Sequence, residues 1–137
     1  MGDQKEAVKV TEAGIELHPG DPELYYLMAK IGIDSDFYYQ RAIQIAAADS
    51  EEQVFRFNYA AWLHSQGRLK EAVDIASLLS KAPRDLSIFE NAASLIADTL
   101  HKTRGLAAAQ TYLNSIVQNG FRTPLIEENL LALAESV

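Results

Sequence analysis

Apolar residues recur along the whole chain at intervals of three and four, the period of an amphipathic α-helix, and strand-type alternation is absent. Asp21-Pro22 and Thr123-Pro124 combine an N-cap residue with a proline suited to the first helical position. Gly67 and Gly120 follow apolar runs and can take the left-handed conformation that ends a helix. These signals predict an all-α fold with helices over 4–18, 22–33, 36–48, 51–66, 69–81, 85–102, 105–119 and 124–136.

One helix-pair pattern repeats at a nearly fixed spacing. The sequence EAVKVTEAGIELHPGDPE returns more loosely as FYYQRAIQIAAADSEE and again as GRLKEAVDIASLLSKAPRD. Pro19 and Pro83 close the first and third copies and lie 64 residues apart, which is two units of 32. A repeat of this length indicates stacked supersecondary units, and such stacks usually present an extended binding surface. A plain helical bundle without repeats is the alternative.

The third copy resembles the tetratricopeptide repeat most closely. Small residues in that family let the two helices of a pair approach each other. The matching positions here are Tyr59, Ala60, Leu63, the turn Gln66-Gly67-Arg68, Ala72, Ala76, Leu79 and Pro83. Arg56 departs from the pattern where the family has a bulky aromatic, and Phe55 or Phe57 can compensate. The resemblance implies antiparallel helix pairs stacked in a right-handed superhelix, with a capping helix at the C-terminus.

The resemblance implies a single domain of divergent repeats: a half repeat over 4–20, repeats over 21–50, 51–84 and 85–120, and a capping helix over 123–137. The first unit has no helix before it, which is consistent with a piece of a longer protein. Its apolar residues Val8, Ile15 and Leu17, with Ala7 and Val10, are therefore expected to recruit a second copy or to fray. In the third unit, Ala60, Ala72 and Ala76 are expected to be buried.

In the family, one face of each first helix lines the inner groove. Carried onto this sequence, the partner-binding residues are Glu23, Tyr26, Lys30, Phe57, Ala61, His64, Glu90 and Ser94, on a face completed by Ile33, Val54, Ser87 and Asp98. Tyr26 and Phe57 would form an aromatic platform for a peptide or helix. The alternative for both rings is packing in the inter-helix core, which the sequence favours slightly more for Phe57 than for Tyr26.

Composition narrows the classes of partner. A formal net charge of −7 disfavours nucleic acid and anionic lipid, and no apolar run is long enough for membrane insertion. The absence of cysteine excludes disulfides and thiolate metal sites and leaves the compartment open, with the cytoplasm favoured.

Motifs for chemistry are weak. His18, His64 and His101 lack the spacing of a metal site. Asp34-Ser35-Asp36 resembles the DxD motif of glycosyltransferases, but it lies in a short turn where Asp and Ser are ordinary cap residues. We therefore expect no catalytic residue, metal or cofactor.

The resemblance favours a non-enzymatic scaffold or adaptor that binds a protein or peptide. The repeat domain of a larger enzyme, such as a glycosyltransferase, and a self-assembly module that dimerises through its open N-terminal end are the alternatives.

Overall fold

The computed structural model describes residues 2–47, 51–81 and 86–135, and these segments contain eight α-helices and no strand. They are α1 (Gly2–Leu17), α2 (Pro22–Ile31), α3 (Ser35–Ile45), α4 (Glu51–Ser65), α5 (Leu69–Lys81), α6 (Leu86–Arg104), α7 (Leu106–Gln118) and α8 (Pro124–Glu135). The all-α prediction is confirmed. Pro83, which was expected to close the third copy of the repeat, lies outside the described residues.

The chain divides into two compact units, residues 1–59 and 60–137, and the division falls within α4. In the first unit α1 packs on α2, and α2 packs on α3. In the second unit α5 packs on α6, α6 on α7, and α8 on both α6 and α7. Among the helices of the described segments, none has the length and apolarity that crossing a bilayer requires.

Local chemistry explains where α2 begins and ends. The Asp21 carboxylate accepts a hydrogen bond of 3.0 Å from the Glu23 N–H, and Pro22 starts the helix. Gly32 has a φ of 100° and ends the helix, because its left-handed backbone turns the chain. The predicted helix over 22–33 is therefore too long. The Ser35 hydroxyl donates 2.8 Å to the Ala29 carbonyl and closes the short connection to α3.

Small residues fill the closest contacts of the fold. Ala60, Ala72 and Ala76 are completely buried, which confirms the expectation for these three positions. Phe55 is buried at the point where Arg56 departs from the repeat pattern, while Arg56 itself pairs with Glu52. Phe55 therefore supplies the aromatic ring that the core of the first unit needs.

Replacement of Gly32 by alanine should destabilise the protein by about 1 kcal/mol, because a Cβ disfavours the left-handed conformation. No atom lies within 4 Å of the added Cβ, so the effect comes from backbone strain rather than from a clash. Urea unfolding followed by circular dichroism measures it. Gly20→Ala is the matched control, since Gly20 also has open space around it and no positive φ. Equal stability of the two variants would contradict the prediction.

Candidate functional site

The groove residues predicted in the first unit surround a buried aromatic layer. Tyr26 is only 9% exposed, and its ring centroid lies 4.8 Å from that of Phe55 and 6.2 Å from that of Tyr39. Lys30 is exposed and holds its Nζ atom 5.2 Å from the centroid of the Tyr26 ring. Tyr26 is thus a core residue whose ring lies beneath a surface lysine. Phe57 is half-buried, so the core alternative applies to Tyr26 rather than to Phe57.

The aromatic layer continues into a polar contact between α3 and α4. The Tyr59 hydroxyl donates 2.6 Å to Asp36 and accepts a 3.0 Å hydrogen bond from the Gln40 amide. The Tyr59 ring stacks on Tyr39 with centroids 5.3 Å apart, and burial, then the nearby Tyr26, raises the pKa of Tyr39. Asp36 therefore holds the Tyr59 hydroxyl at the edge of the aromatic layer. Asp34, which was expected to cap α3, makes no side-chain capping hydrogen bond.

In the second unit, three helices bring their polar side chains together. His64 Nε2 on α4 lies 3.0 Å from Asp98 Oδ2 on α6, and Lys102 Nζ lies 3.1 Å from the same oxygen. Asn129 on α8 donates a 2.7 Å hydrogen bond to the Ser94 hydroxyl on α6. Two predicted groove residues thus take part in contacts between helices. His64 on α4 is hydrogen-bonded to α6, and Ser94 on α6 is hydrogen-bonded to α8.

A shallow cavity of about 220 Å³ opens beside these contacts. It is lined by Ala97, Asp98, His101, Asn129, Ala132 and Leu133. We call this region, together with His64, Glu90 and Ser94, the polar face of the second unit. Within it Glu90 is half-buried on α6, and the predicted groove residue Ala61 is half-buried on α4.

The cavity of the polar face has a mixed lining. Carboxylate, amide and imidazole groups line it together with alanine and leucine side chains. No group of His, Asp and Glu side chains that could hold a metal ion occurs in the described segments.

The sequence did not indicate Asn129 as a site residue. It lies on α8, which the repeat pattern assigned to capping, and its partner Ser94 lies 35 positions earlier. Glu23 and Lys30, by contrast, are exposed, as a groove residue must be.

Comparison with protein-family models, with curated proteins and with solved structures finds no match for this chain.

Proposed function

We propose that this protein is a non-enzymatic interaction module built from tetratricopeptide-like helix pairs, and that it binds a peptide or helix of a partner protein. The observation that carries the proposal is the arrangement of α4, α6 and α8 in the second unit. His64–Asp98 joins α4 to α6, and Asn129–Ser94 joins α6 to α8. In stacked helix pairs the first helices of successive pairs lie side by side. Contacts between every second helix of the chain are therefore expected.

The chemistry of the polar face supports a partner segment that is neutral or basic. Glu90 and Asp98 place carboxylates on α6, and Lys102 is paired with one of them. The chain as a whole carries a formal charge of −7, which favours approach of a basic partner. Leu133 and Ala132 contribute apolar side chains to the cavity lining, against which one side chain of that segment can anchor.

Site-specific photo-crosslinking tests the location of binding. A photoreactive side chain at Glu90 or His101 should crosslink a partner protein in the source cell, because both positions border the polar face. The matched control is the exposed Lys70 on α5, outside the polar face. Equal capture from all three positions would contradict the proposed face.

Affinity for a peptide from the crosslinked segment then tests the chemistry. Asp98→Asn should weaken binding about tenfold, because it removes one charge at the rim. Asp74→Asn makes the same charge change on the exposed side of α5 and should leave affinity unchanged. Isothermal titration calorimetry gives both constants, and an unchanged affinity for Asp98→Asn would overturn the assigned role of the polar face.

A further inference from the structure

One flank of α1 carries two open clefts, one after the other along the helix. The cleft beside its N-terminal half has a volume of about 580 Å³ and is lined by Gln4, Lys5, Val8, Lys9 and Ile33. The cleft beside its C-terminal half has a volume of about 320 Å³ and is lined by Glu12, Ile15, Glu16, Tyr25, Phe37 and Tyr38. Both lie wholly within the first unit. Neither includes a residue of the polar face.

The expected apolar stripe of α1 is in fact two separate features. Val8 and Ile15 are half-buried and lie seven residues apart, so they share the flank that carries the clefts. Val10 and Leu17 are also seven residues apart but lie on a different side, at 64% and 76% exposure. On the flank that carries the clefts, residues of α2, of α3 and of the connection between them line the cleft walls.

The charges on this flank are segregated by sign. Lys5 and Lys9 lie one turn apart in the basic half, and Glu12 and Glu16 lie one turn apart in the acidic half. None of the four forms an ion pair within the described residues.

This order of charges is unfavourable for an isolated helix. Like charges four residues apart repel each other, and acids near a helix C-terminus oppose its dipole. Asp3 is the acidic residue of the first turn, and no basic residue occupies the last. Lys9 has opposite charges three residues away in Glu6 and Glu12. Lys5 and Glu16 have no opposite charge three or four residues away, so the charges of the flank are only partly balanced within α1.

The acidic cleft is also aromatic and suits a cation. The rings of Phe37 and Tyr38 lie edge to face with centroids 5.1 Å apart, and Phe37 is 59% exposed. The Arg41 guanidinium lies 5.9 Å from the centroid of the Tyr25 ring, so this aromatic wall already holds one cation. Burial, and next the charge of Glu12, raises the pKa of Tyr38.

We propose that the occupant of this flank is a second copy of the chain, with the two α1 helices antiparallel across a two-fold axis. An axis between Val10 and Thr11 places Lys5 opposite Glu16 of the second copy, and Lys9 opposite its Glu12, because each pair is equidistant from the axis. The lysines of each copy then enter the aromatic, acidic cleft of the other. Identical surfaces that complement each other in this way form a closed dimer.

The apolar residues of the flank lie beside this contact with a small offset. Val8 lies 2.5 positions and Ile15 4.5 positions from the axis, so Val8 of one copy approaches Ile15 of the other with an offset of two residues, about 3 Å along the helix. Ile33 and Phe37, which are 40% and 59% exposed, form the shoulders of the contact. In this register the Lys9–Glu12 pairs lie nearest the axis, and the aliphatic and aromatic side chains beside them supply the apolar part of the contact.

The contact is too small for a tight dimer. Helix α1 has 16 residues and is therefore about 24 Å long. One helix pair with its shoulders falls below the ~1,200 Å² of a standard interface, so a micromolar dimer is expected. Because the four charged side chains that each copy contributes are exposed, salt should weaken the contact.

Sedimentation equilibrium of the full chain with paired charge reversals tests the proposal. The wild type should dimerise as its concentration rises. Lys5→Glu with Lys9→Glu, and separately Glu12→Lys with Glu16→Lys, should each weaken self-association at least tenfold, because like charges then face each other. An equimolar mixture of the two double variants should recover a heterodimer, since every facing pair is again opposite in sign.

Two single changes serve as controls. Glu6→Lys lies on α1 outside both clefts, and Lys70→Glu lies on α5, so neither should change the dimerisation constant. Circular dichroism should show the same helix content for all variants, because the changed side chains are exposed. A monomeric wild type, or folded double variants whose mixture remains monomeric, would overturn the proposal. Peptide binding at the polar face is measured separately and does not depend on this result.

Discussion

Replacement of Phe89 by alanine should destabilise the protein by about 3–5 kcal/mol, the largest effect that we expect from a single substitution. Phe89 is 2% exposed and belongs to the core of the second unit, which also contains Ala93, Ala97, Leu113, Ile116 and Ile126. Its ring lies 4.8 Å from the Phe121 ring, measured between centroids. Truncation removes the buried ring and leaves a cavity among residues from α6, α7 and α8, which cannot all relax into it.

Urea unfolding followed by circular dichroism measures the change. A loss of this size is a large part of the roughly 5–15 kcal/mol that stabilises a folded domain, so the midpoint should fall clearly. Leu131→Ala is the control, because Leu131 is 61% exposed on α8 and its loss should change stability by no more than about 0.5 kcal/mol. Similar midpoints for the two variants would contradict the core that the structure describes.

Helix positions could be predicted from the sequence because caps and stops are local. Asp21-Pro22 gave the start of α2, and Gly67 gave the end of α4, where Arg68 N–H bonds the Leu63 carbonyl over 3.0 Å. Gly32 is the same kind of stop, with a φ of 100°, but the apolar pattern predicts that the helix continues through it to residue 33. A glycine inside an apolar run is ambiguous until the direction of the next helix is known.

The faces of the helices could be predicted only in part. The repeat register placed His64 and Asp98 on one face, and the structure brings them within 3.0 Å. The same register gave Tyr26 as a surface platform, although Tyr39 and Phe55 cover its ring. Those covering residues lie 13 and 29 positions further along the chain, so the burial of Tyr26 depends on tertiary packing rather than on periodicity.

The order of charges on α1 was readable from the sequence, but its significance was not. Alternation of lysine and glutamate pairs is common on solvated helices and by itself indicates no partner. Only the structure shows that Tyr25, Phe37 and Tyr38 from α2 and α3 line a cleft beside the two glutamates. The candidate contact therefore depends on residues that are distant in sequence from the helix that carries the charges.

Replacement of Ala72 by leucine should destabilise the protein by about 1–3 kcal/mol. Ala72 is completely buried on α5, and that helix packs against α6. Three additional carbon atoms have no free space there, so the side chain must leave its preferred rotamer or move the helix. Thermal unfolding followed by circular dichroism measures the loss, which should appear as a lower Tm.

Ala107→Leu is the matched control for this substitution. Ala107 lies on the exposed side of α7, where the same increase in side-chain volume meets solvent. Leucine is nearly as good a helix former as alanine, so the helix itself should not be weakened. The control should therefore stay within about 0.5 kcal/mol of the wild type. A Tm unchanged by Ala72→Leu would show that α5 can move outward without cost, and close approach through small residues would then not explain the alanines at positions 72 and 76.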